Sequence, residues 1–275
     1  MPSNIHIHQI FYNEETQQQL DPGFIPLDNS ANLRPDWYEF WPMHHWLTSH
    51  QLNEDDWYGF LSPKFFRKTG FTSVDIANVI DQFREEANVV TFSVSWDQAA
   101  YFKNVFEQGE MWHPGITELT QQFLNNIGES INLTEMVNYA NTAVFSNFII
   151  AKPVFWKKWI RLADAFFAYA ESNEQLKNQT TSYGSELNQA SMKTFIQERF
   201  ASIILSHENF ITIPVDMSQH IPIFDRIFES SPVTKNSLTI CNLLKENYLK
   251  TGNTEFLKSY VQVKAQIKLK TSAHS

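Results

Sequence analysis

Short apolar segments alternate with longer amphipathic ones along most of this chain, and this alternation constrains the fold more than any other feature. Apolar residues at every second position predict a strand, whereas apolar residues at intervals of three and four predict a helix. Because strands that alternate with helices form parallel sheets with helices on their faces, we expect an α/β fold with a mostly parallel central sheet flanked by helices. The predicted strands are IHIHQIFY, WYGFLSPKFFRKTG, NVVTFSV and TAVFSNFIIA, and helices are predicted near residues 73–86, 97–109, 117–127 and 154–171 and over MKTFIQERFASIILSH.

Two connecting segments carry local predictions. Asp36 and Glu39 have the spacing of a capping box, in which the side chain three residues into a helix bonds back to its first residue. We therefore expect a helix to begin at Asp36. Residues 172–190 are rich in Gln, Asn and Ser and are predicted to form a surface loop.

Length and composition favour a folded protein of the reducing cytoplasm. The 275 residues, 43% of them apolar, can bury a sizeable core. The single cysteine, Cys241, cannot form an intrachain disulfide. The N-terminus lacks the basic and apolar regions of a signal peptide, and no apolar run has the length of a membrane span. We therefore predict a cytoplasmic protein without a membrane span.

Charge is distributed unevenly along the chain. The net charge of −9 argues against nucleic acid as a partner, because phosphates require clustered Lys and Arg. Residues 232–275, however, contain seven Lys and two Glu, a net charge of +5. We expect one domain over residues 1–231 and a small Lys-rich helical extension over residues 232–275. This extension is either a solvated helical face or a weak peripheral contact with anionic headgroups of the inner membrane.

Polar and basic residues follow several predicted strands. Ligands of α/β sheets bind at the carboxyl ends of the strands, so these residues could line one cleft. A group of three cations after the second strand suits a diphosphate, although a solvated loop explains it equally well. The candidates are Tyr12 after the first strand, Lys64, Arg67 and Lys68 after the second, Ser95–Asp97 after the third, and the loop Asn29–Arg34.

Three side chains each have two interpretations. Arg34 is either a second phosphate ligand or an ion-pair residue. Arg199 falls within the apolar stripe of its predicted helix, so it forms an internal ion pair or reaches a ligand phosphate. His113, in a Trp-His-Pro-Gly turn, is either a general base or a hydrogen-bonded loop histidine.

Motifs of several large enzyme classes are absent from the sequence. No GxSxG motif indicates a serine hydrolase, and neither GxGxxG nor GxxxxGK[ST] indicates a dinucleotide or P-loop site. The histidine pairs do not follow the HExxH pattern of zinc enzymes.

Four segments in a fixed order resemble bacterial glycosyltransferase-like proteins of capsule and lipopolysaccharide gene clusters, which have a fold similar to GT-A glycosyltransferases. These segments are WYGFLSPKFFRKTG, NVVTFSV, SNFIIAKPVFWKKWI and FIQERFASIIL, and the likeness spans roughly residues 4–208. The resemblance implies that a sugar is transferred from a nucleotide diphosphate donor to a glycan or lipid-linked glycan acceptor in surface polysaccharide synthesis.

The resemblance also implies positions for the site residues. Asn29 and Arg34 would join the donor side through their loop. By position, Gln9 and Tyr12 would border the nucleotide, Lys64 and Lys68 would approach the diphosphate, Asn147 would lie by the sugar, and Glu198 and Arg199 would support the acceptor side.

The chain departs from the GT-A pattern at the end of the third strand. Many GT-A enzymes hold Mn²⁺ or Mg²⁺ there with an Asp-x-Asp motif, whereas this chain has only Asp97. Asp97 would bind the metal alone with water and phosphate, or the Lys and Arg group would replace the metal, or catalysis is lost. Asp97 and Glu107 are the acidic candidates for base or nucleophile.

We therefore expect a GT-A-like glycosyltransferase. The alternative is a non-catalytic nucleotide-sugar or glycan-binding protein, which the missing Asp-x-Asp favours. A third class is an interaction scaffold that uses the Lys-rich helical extension.

Overall fold

The structure is a computed structural model that describes residues 4–92, 95–182, 188–215, 227–229 and 231–270. It confirms the α/β fold with a mostly parallel central sheet flanked by helices. The strands are β1 (Ile5–Phe11), β2 (Ile25–Asp28), β3 (Trp57–Leu61), β4 (Val89–Phe92), β5 (Ile149–Ala151), β6 (Thr180–Ser182), β7 (Gln189–Ser191) and β8 (Thr212–Val215).

The helices fill the connections between these strands, and a 3-10 turn covers Pro35–Trp37. They are α1 (Glu14–Gln18), α2 (Phe40–Ser49), α3 (Phe65–Thr69), α4 (Ser73–Phe83), α5 (Trp96–Tyr101), α6 (Val105–Trp112), α7 (Ile116–Asn126), α8 (Pro153–Ser172), α9 (Glu174–Asn178), α10 (Met192–Gln197), α11 (Phe200–His207), α12 (Pro232–Thr251) and α13 (Glu255–Lys264).

The central sheet has six strands in the order β2-β1-β3-β5-β4-β8. β1 is parallel to β2 and β3, and β4 is parallel to β8, whereas β5 is antiparallel to both β3 and β4. The start of β5 therefore lies at the same edge as the ends of the five parallel strands. We call this edge the carboxyl edge; it brings together the residues after β1, β3 and β4 and the turn before β5.

The two faces of the sheet are covered by different helices. Tyr58 and Phe60 of β3 pack in the larger core, which also contains buried side chains of α2, α7, α8 and α11. Trp57 and Leu61 point to the other face and pack in a smaller core with Ile76 of α4. The alternation of side chains along one strand thus buries both faces, as a central strand requires.

The C-terminal helices α12 and α13 pack onto the end of α5. A third core joins Phe102 to Leu238, Cys241 and Tyr260. Lys245, which is fully buried, donates from Nζ to the carbonyl oxygens of Ala99 and Phe102, both at 2.5 Å. These carbonyls lack partners within the last turn of α5, so the lysine supplies their hydrogen bonds.

The lysines of the extension are largely engaged. Besides Lys245, three of them form ion pairs, Lys250 with Glu246, Lys258 with Glu255, and Lys264 with Glu107. A contact with anionic lipid would therefore involve less unpaired positive charge than the net charge of +5 suggests. No helix in the described part of the chain has the length and apolar character that crossing a membrane requires.

The second predicted strand is shorter than expected. It ends at Leu61, because Pro63 lacks a backbone N–H for the ladder and the Ser62 hydroxyl accepts a hydrogen bond from the Lys64 backbone at 3.1 Å. The chain then forms α3, which Gly70 ends in the left-handed conformation at φ 74°.

Other local predictions also differ from the structure. The predicted helix over residues 192–207 is two helices, because the chain breaks at Glu198 and Arg199. No capping box forms at Asp36; α2 begins after Glu39 without a side-chain cap. The predicted loop over residues 172–190 contains α9 and the β6–β7 hairpin, apart from residues 183–187, which lie outside the described part.

Candidate functional site

A pocket of about 330 Å³ opens at the carboxyl edge, between the residues that follow β1 and β3. Its wall includes the exposed residue Tyr12, Asn13, the acidic residue Glu15, and the cations Lys64 and Arg67. β1 and β3 are neighbours in the sheet, which explains why residues 50 positions apart meet here. The volume falls at the small end of the range of about 300–1,000 Å³ typical of small-molecule sites.

Four charged side chains interact electrostatically near the carboxyl edge, and we call Glu39, Lys64, Lys68 and Glu198 the carboxyl-edge cluster; Lys64 of this cluster lines the pocket. Surrounding protein desolvates both carboxyl groups and raises their pKa values, that of Glu39 to about 7. The positive charge of Lys68 acts on both of them, and Glu198 raises the pKa of Glu39 further. As whole residues, both glutamates are part-exposed.

The opposite charges of this cluster are not in contact. Among the described residues, no ion pair within 4.0 Å joins Glu39 or Glu198 to a lysine or arginine. The Ser62 hydroxyl lowers the pKa of Glu39, and Lys68 Nζ donates to Ser146 Oγ at 3.2 Å. The cluster is therefore an arrangement of separated charges that a polar ligand can bridge.

Unusual backbone conformations flank the cluster on both sides. Tyr38, directly before Glu39, has φ 48°, and Ser146 and Asn147 before β5 have φ 63° and 54°. Non-glycine residues seldom adopt positive φ, and such strained positions concentrate at functional sites. At Tyr38 the preceding side chain, Trp37, is fully buried and anchors the chain.

The turn before β5 connects the elements that carry the cluster. Asn147 donates from Nδ2 to Oε1 of Gln197 at 3.0 Å, which ties the turn to the end of α10, and Glu198 follows directly. The bond from Lys68 to Ser146 ties the same turn to α3. Lys64, Lys68, Asn147 and Glu198 thus lie near one another, and the roles that the resemblance implies for them stay predictions.

Arg34 lies in a closed ion cluster rather than at the pocket. It pairs with Glu171 at 2.7 Å and with Asp36 at 3.0 Å, and the fully buried Lys193 pairs with Asp36 at 2.5 Å. Its guanidinium also lies over the Phe167 ring. Of its two interpretations, the ion-pair residue is the one that these contacts support, and a role as phosphate ligand is not. We call Arg34, Asp36, Glu171 and Lys193 the Arg34 cluster.

Arg199 is also bonded internally, and its expected role on the acceptor side stays a prediction. Its buried guanidinium donates to the carbonyl oxygens of Val105 at 3.0 Å and Phe195 at 2.7 Å and to Gln108 Oε1 at 2.9 Å. A Cβ at Gly109 would lie 3.0 Å from this guanidinium, so glycine leaves the room that it needs. Arg199 therefore fixes α6 against α10 and keeps a positive charge next to Glu198.

Gln9 and Asn29 occupy supporting positions near the edge. Gln9 is buried, and its Oε1 accepts a hydrogen bond from the Asp21 backbone at 2.9 Å. The Asn29 backbone donates to the carbonyl of Phe11 at 2.8 Å, which fixes the loop after β2. Neither side chain lines the 330 Å³ pocket.

His113 and Glu107 lie in structural environments. The His113 ring stacks on Phe195 with a centroid distance of 3.7 Å, and burial lowers its pKa to about 3. A histidine with this pKa is a poor base at neutral pH. Glu107 pairs with Lys264 and accepts a hydrogen bond from the Lys103 backbone, so it holds α13 against α6. These contacts argue against the expected catalytic roles of both residues.

Asp97 lies in the first turn of α5, where its Oδ1 accepts a hydrogen bond from the Gln98 backbone at 2.9 Å. Ser93 and Val94, which precede it, lie outside the described part of the chain. In that part, no group of three His, Cys, Asp or Glu side chains is placed to hold a metal ion. A divalent ion at Asp97 would thus need most of its ligands from a bound diphosphate and water.

Glu39 is the residue of this site that the sequence does not reveal. Its spacing to Asp36 indicates a helix cap, but α2 begins after Glu39 without a side-chain cap, and Tyr38 directly before it has φ 48°. One feature of the sequence could have indicated Glu39: it lies at the end of a long Pro- and Asn-rich loop, and long loops in compact domains are usually functional.

In comparisons with known proteins, no protein-family model, no curated protein and no solved structure matches this chain.

Proposed function

We propose that this protein is a GT-A-like glycosyltransferase that moves a sugar from a nucleotide diphosphate donor to a glycan or lipid-linked glycan acceptor. One observation carries the proposal. Cations, an exposed aromatic ring and two carboxyl groups of raised pKa meet at the carboxyl edge of a mostly parallel α/β sheet.

Each part of this arrangement suits one part of such a donor. Lys64 and Arg67 supply the positive charge that a diphosphate requires, and the pocket between β1 and β3 has room for part of a nucleoside. Tyr12 offers a ring face for a base or sugar. Lys68 and Asn147 lie towards the carboxyl groups, where the transferred sugar would be held.

The second candidate is a nucleotide-sugar or glycan-binding protein without catalysis. It is favoured by Asp97, which stands alone where many GT-A enzymes have an Asp-x-Asp motif. The transferase and a nucleotide-sugar-binding protein both predict donor binding, and only the transferase predicts turnover; a glycan-binding protein predicts neither.

The test is a thermal-shift screen of the full chain against UDP, GDP, CMP, TDP and their sugars, with and without Mn²⁺. A ligand that binds the native state raises the apparent melting temperature by mass action. We expect one nucleotide class to give a shift that Arg67→Ala abolishes. The matched control is Arg161→Ala, which removes an exposed arginine paired with Glu129, away from the pocket.

The results separate the candidates. Donor binding with release of nucleoside diphosphate supports the transferase, and binding without release supports the non-catalytic protein. If neither a nucleotide nor a nucleotide sugar shifts the melting temperature, the transferase and the nucleotide-sugar-binding protein are both wrong, and the glycan-binding protein is left.

A further inference from the structure

We propose that Glu15 binds the ribose of the donor and makes the site selective for ribonucleotides, an inference that rests on the proposed function. The Glu15 carboxylate accepts hydrogen bonds from the two ribose hydroxyls, while the diphosphate lies against Lys64 and Arg67. The donor nucleotide is then a ribonucleotide. Thymidine diphosphate, whose sugar is a deoxyribose, is not the donor nucleotide.

Two segments of opposite charge line the 330 Å³ pocket. The segment of α1 and its flanking residues contributes Glu15 and Gln19, and the segment at the start of α3 contributes Lys64 and Arg67. These segments follow β1 and β3, which are parallel neighbours in the sheet, so both lie at the carboxyl edge. A ligand in this pocket therefore meets a carboxylate from one segment and cations from the other.

The charges that line the pocket are not paired with one another. Among the described residues, no ion pair within 4.0 Å engages Glu15, Lys64 or Arg67. In the same part of the chain, the Glu15 carboxylate accepts no hydrogen bond, and the residue is exposed. Carboxylate and cations are thus all free to bind a ligand that offers hydroxyl groups at one end and negative charge at the other.

The first turn of α1 fixes the position of Glu15. The Asn13 side chain accepts a hydrogen bond from the Thr16 backbone at 2.8 Å, and Thr16 Oγ1 accepts one from the Asn13 backbone at 3.1 Å, which forms a capping box. Thr16 is buried, so this turn is packed against the protein. Glu15 and Gln19 are four residues apart, a spacing that places residues on one side of a helix.

The chemistry of the two segments determines how a nucleotide lies between them. A diphosphate is attracted by guanidinium and ammonium groups and repelled by a carboxylate, so it lies against Lys64 and Arg67. A ribose has two neighbouring hydroxyls, and the two oxygens of a carboxylate can accept a hydrogen bond from each. Acidic residues hold ribose hydroxyls in dinucleotide sites by the same chemistry. The segment with Glu15 therefore suits the ribose and excludes the phosphates.

The test compares nucleoside diphosphates with their 2′-deoxy forms, which differ by a single hydroxyl. Isothermal titration calorimetry measures the binding of UDP, GDP, CDP and ADP, and of the 2′-deoxy form of each, to the full chain. For the nucleotide that binds, we expect the deoxy form to bind about tenfold more weakly, because it lacks one hydrogen bond to a charged group.

A substitution at Glu15 shows whether this residue causes the difference. In Glu15→Ala the ribonucleotide should bind no more tightly than its deoxy form, because the acceptor for the 2′-hydroxyl is gone. A general disturbance of the pocket would weaken both forms and leave the ratio of their affinities unchanged. The matched control is Glu14→Ala, which changes an exposed glutamate of the same turn that does not line the pocket, and it should keep the wild-type ratio.

Equal affinities of the wild type for the two forms would overturn this inference but keep the proposed function, since a donor nucleotide still binds. A preference for the ribonucleotide that persists in Glu15→Ala would also overturn it, because another residue would then hold the ribose. If the wild type binds no nucleoside diphosphate, the proposed function fails, and this inference with it.

Discussion

The molecule contains two clusters that each consist of two cations and two carboxylates. The clusters differ in whether their cations and carboxylates are in contact. In the Arg34 cluster every carboxylate contacts a cation, with N···O distances from 2.5 to 3.8 Å. In the carboxyl-edge cluster no cation lies within 4.0 Å of a carboxylate among the described residues.

The pKa values follow this difference. Burial alone would raise the pKa of Asp36, but hydrogen bonds from Arg34 and Lys193 outweigh it and lower the pKa to about 2. Burial raises the pKa of Glu39 to about 7, because its cations are too distant to compensate. The first cluster therefore stabilises the fold, whereas in the second the charge of Glu39 is poorly compensated and costs stability.

The largest expected effect comes from removing the buried cation of the Arg34 cluster. Lys193→Met leaves Asp36 with one partner fewer and removes a cation that lies 4.4 Å from the centre of the Trp37 ring. Breaking a fully buried pair costs about 3–5 kcal/mol; because Asp36 is half-exposed, we expect a loss of about 2–3 kcal/mol in the free energy of unfolding. Urea unfolding followed by circular dichroism measures it.

The matched control for this change lies in the other cluster. Lys64→Met removes a part-exposed lysine without an ion pair, and we expect a change within about 0.5 kcal/mol. Equal losses in both variants would show that the two clusters do not differ in the way proposed here.

The fold was predictable where strands lie inside the sheet. The apolar alternation reveals β1, β3, β4 and β5, which occupy its centre, whereas β2 and β8 were not predicted. Those two strands form the edges of the sheet and contain Pro26 and Pro214. Edge strands tolerate proline and need little apolar character, so their sequences resemble loops.

For the candidate site, the sequence predicts only the residues that directly follow a strand. The rule that ligands bind at carboxyl ends finds Tyr12, Lys64 and Lys68. It does not find Glu39, because this residue follows no strand and lies directly before α2. Nor does the sequence distinguish Arg34 from Lys64, since their difference lies in partners more than 130 residues away, such as Glu171.

A smaller effect of opposite sign is expected at the carboxyl-edge cluster. Glu39→Gln removes an ionisable group whose charge is poorly compensated, so at pH 8 the variant should be more stable than the wild type. The pKa difference alone would imply about 3 kcal/mol, but Glu39 is part-exposed and solvent screens it. We expect a gain of about 1 kcal/mol in urea unfolding. Glu171→Gln, in the Arg34 cluster, should instead lose about 1 kcal/mol, and a loss in both variants would contradict the comparison.

The smallest expected effect is the pH dependence of the change in the free energy of unfolding that each variant causes. It also distinguishes the two clusters most directly. The pKa of Glu39 is raised from 4.5 to about 7, so native Glu39 is protonated over a range where the unfolded chain is ionised. The cost of ionising it is absent below pH 4.5 and complete above pH 7. The gain in Glu39→Gln should therefore be close to zero at pH 4.5 and grow up to pH 8.

The pKa of Asp36 is lowered from 3.8 to about 2, so its contribution is fully present above pH 3.8 and is lost only below it. The loss in Asp36→Asn should therefore be the same at pH 4.5 and at pH 8. Urea unfolding of wild type and both variants at these two pH values measures both trends. A gain in Glu39→Gln that does not change with pH would mean that Glu39 titrates normally, and the carboxyl-edge cluster would then be an ordinary solvated surface. A pH-independent loss in Asp36→Asn beside a pH-dependent gain in Glu39→Gln would show that the two clusters differ as their contacts predict. The paired charges of the Arg34 cluster would then stabilise the fold, and the unpaired charge of Glu39 would destabilise it.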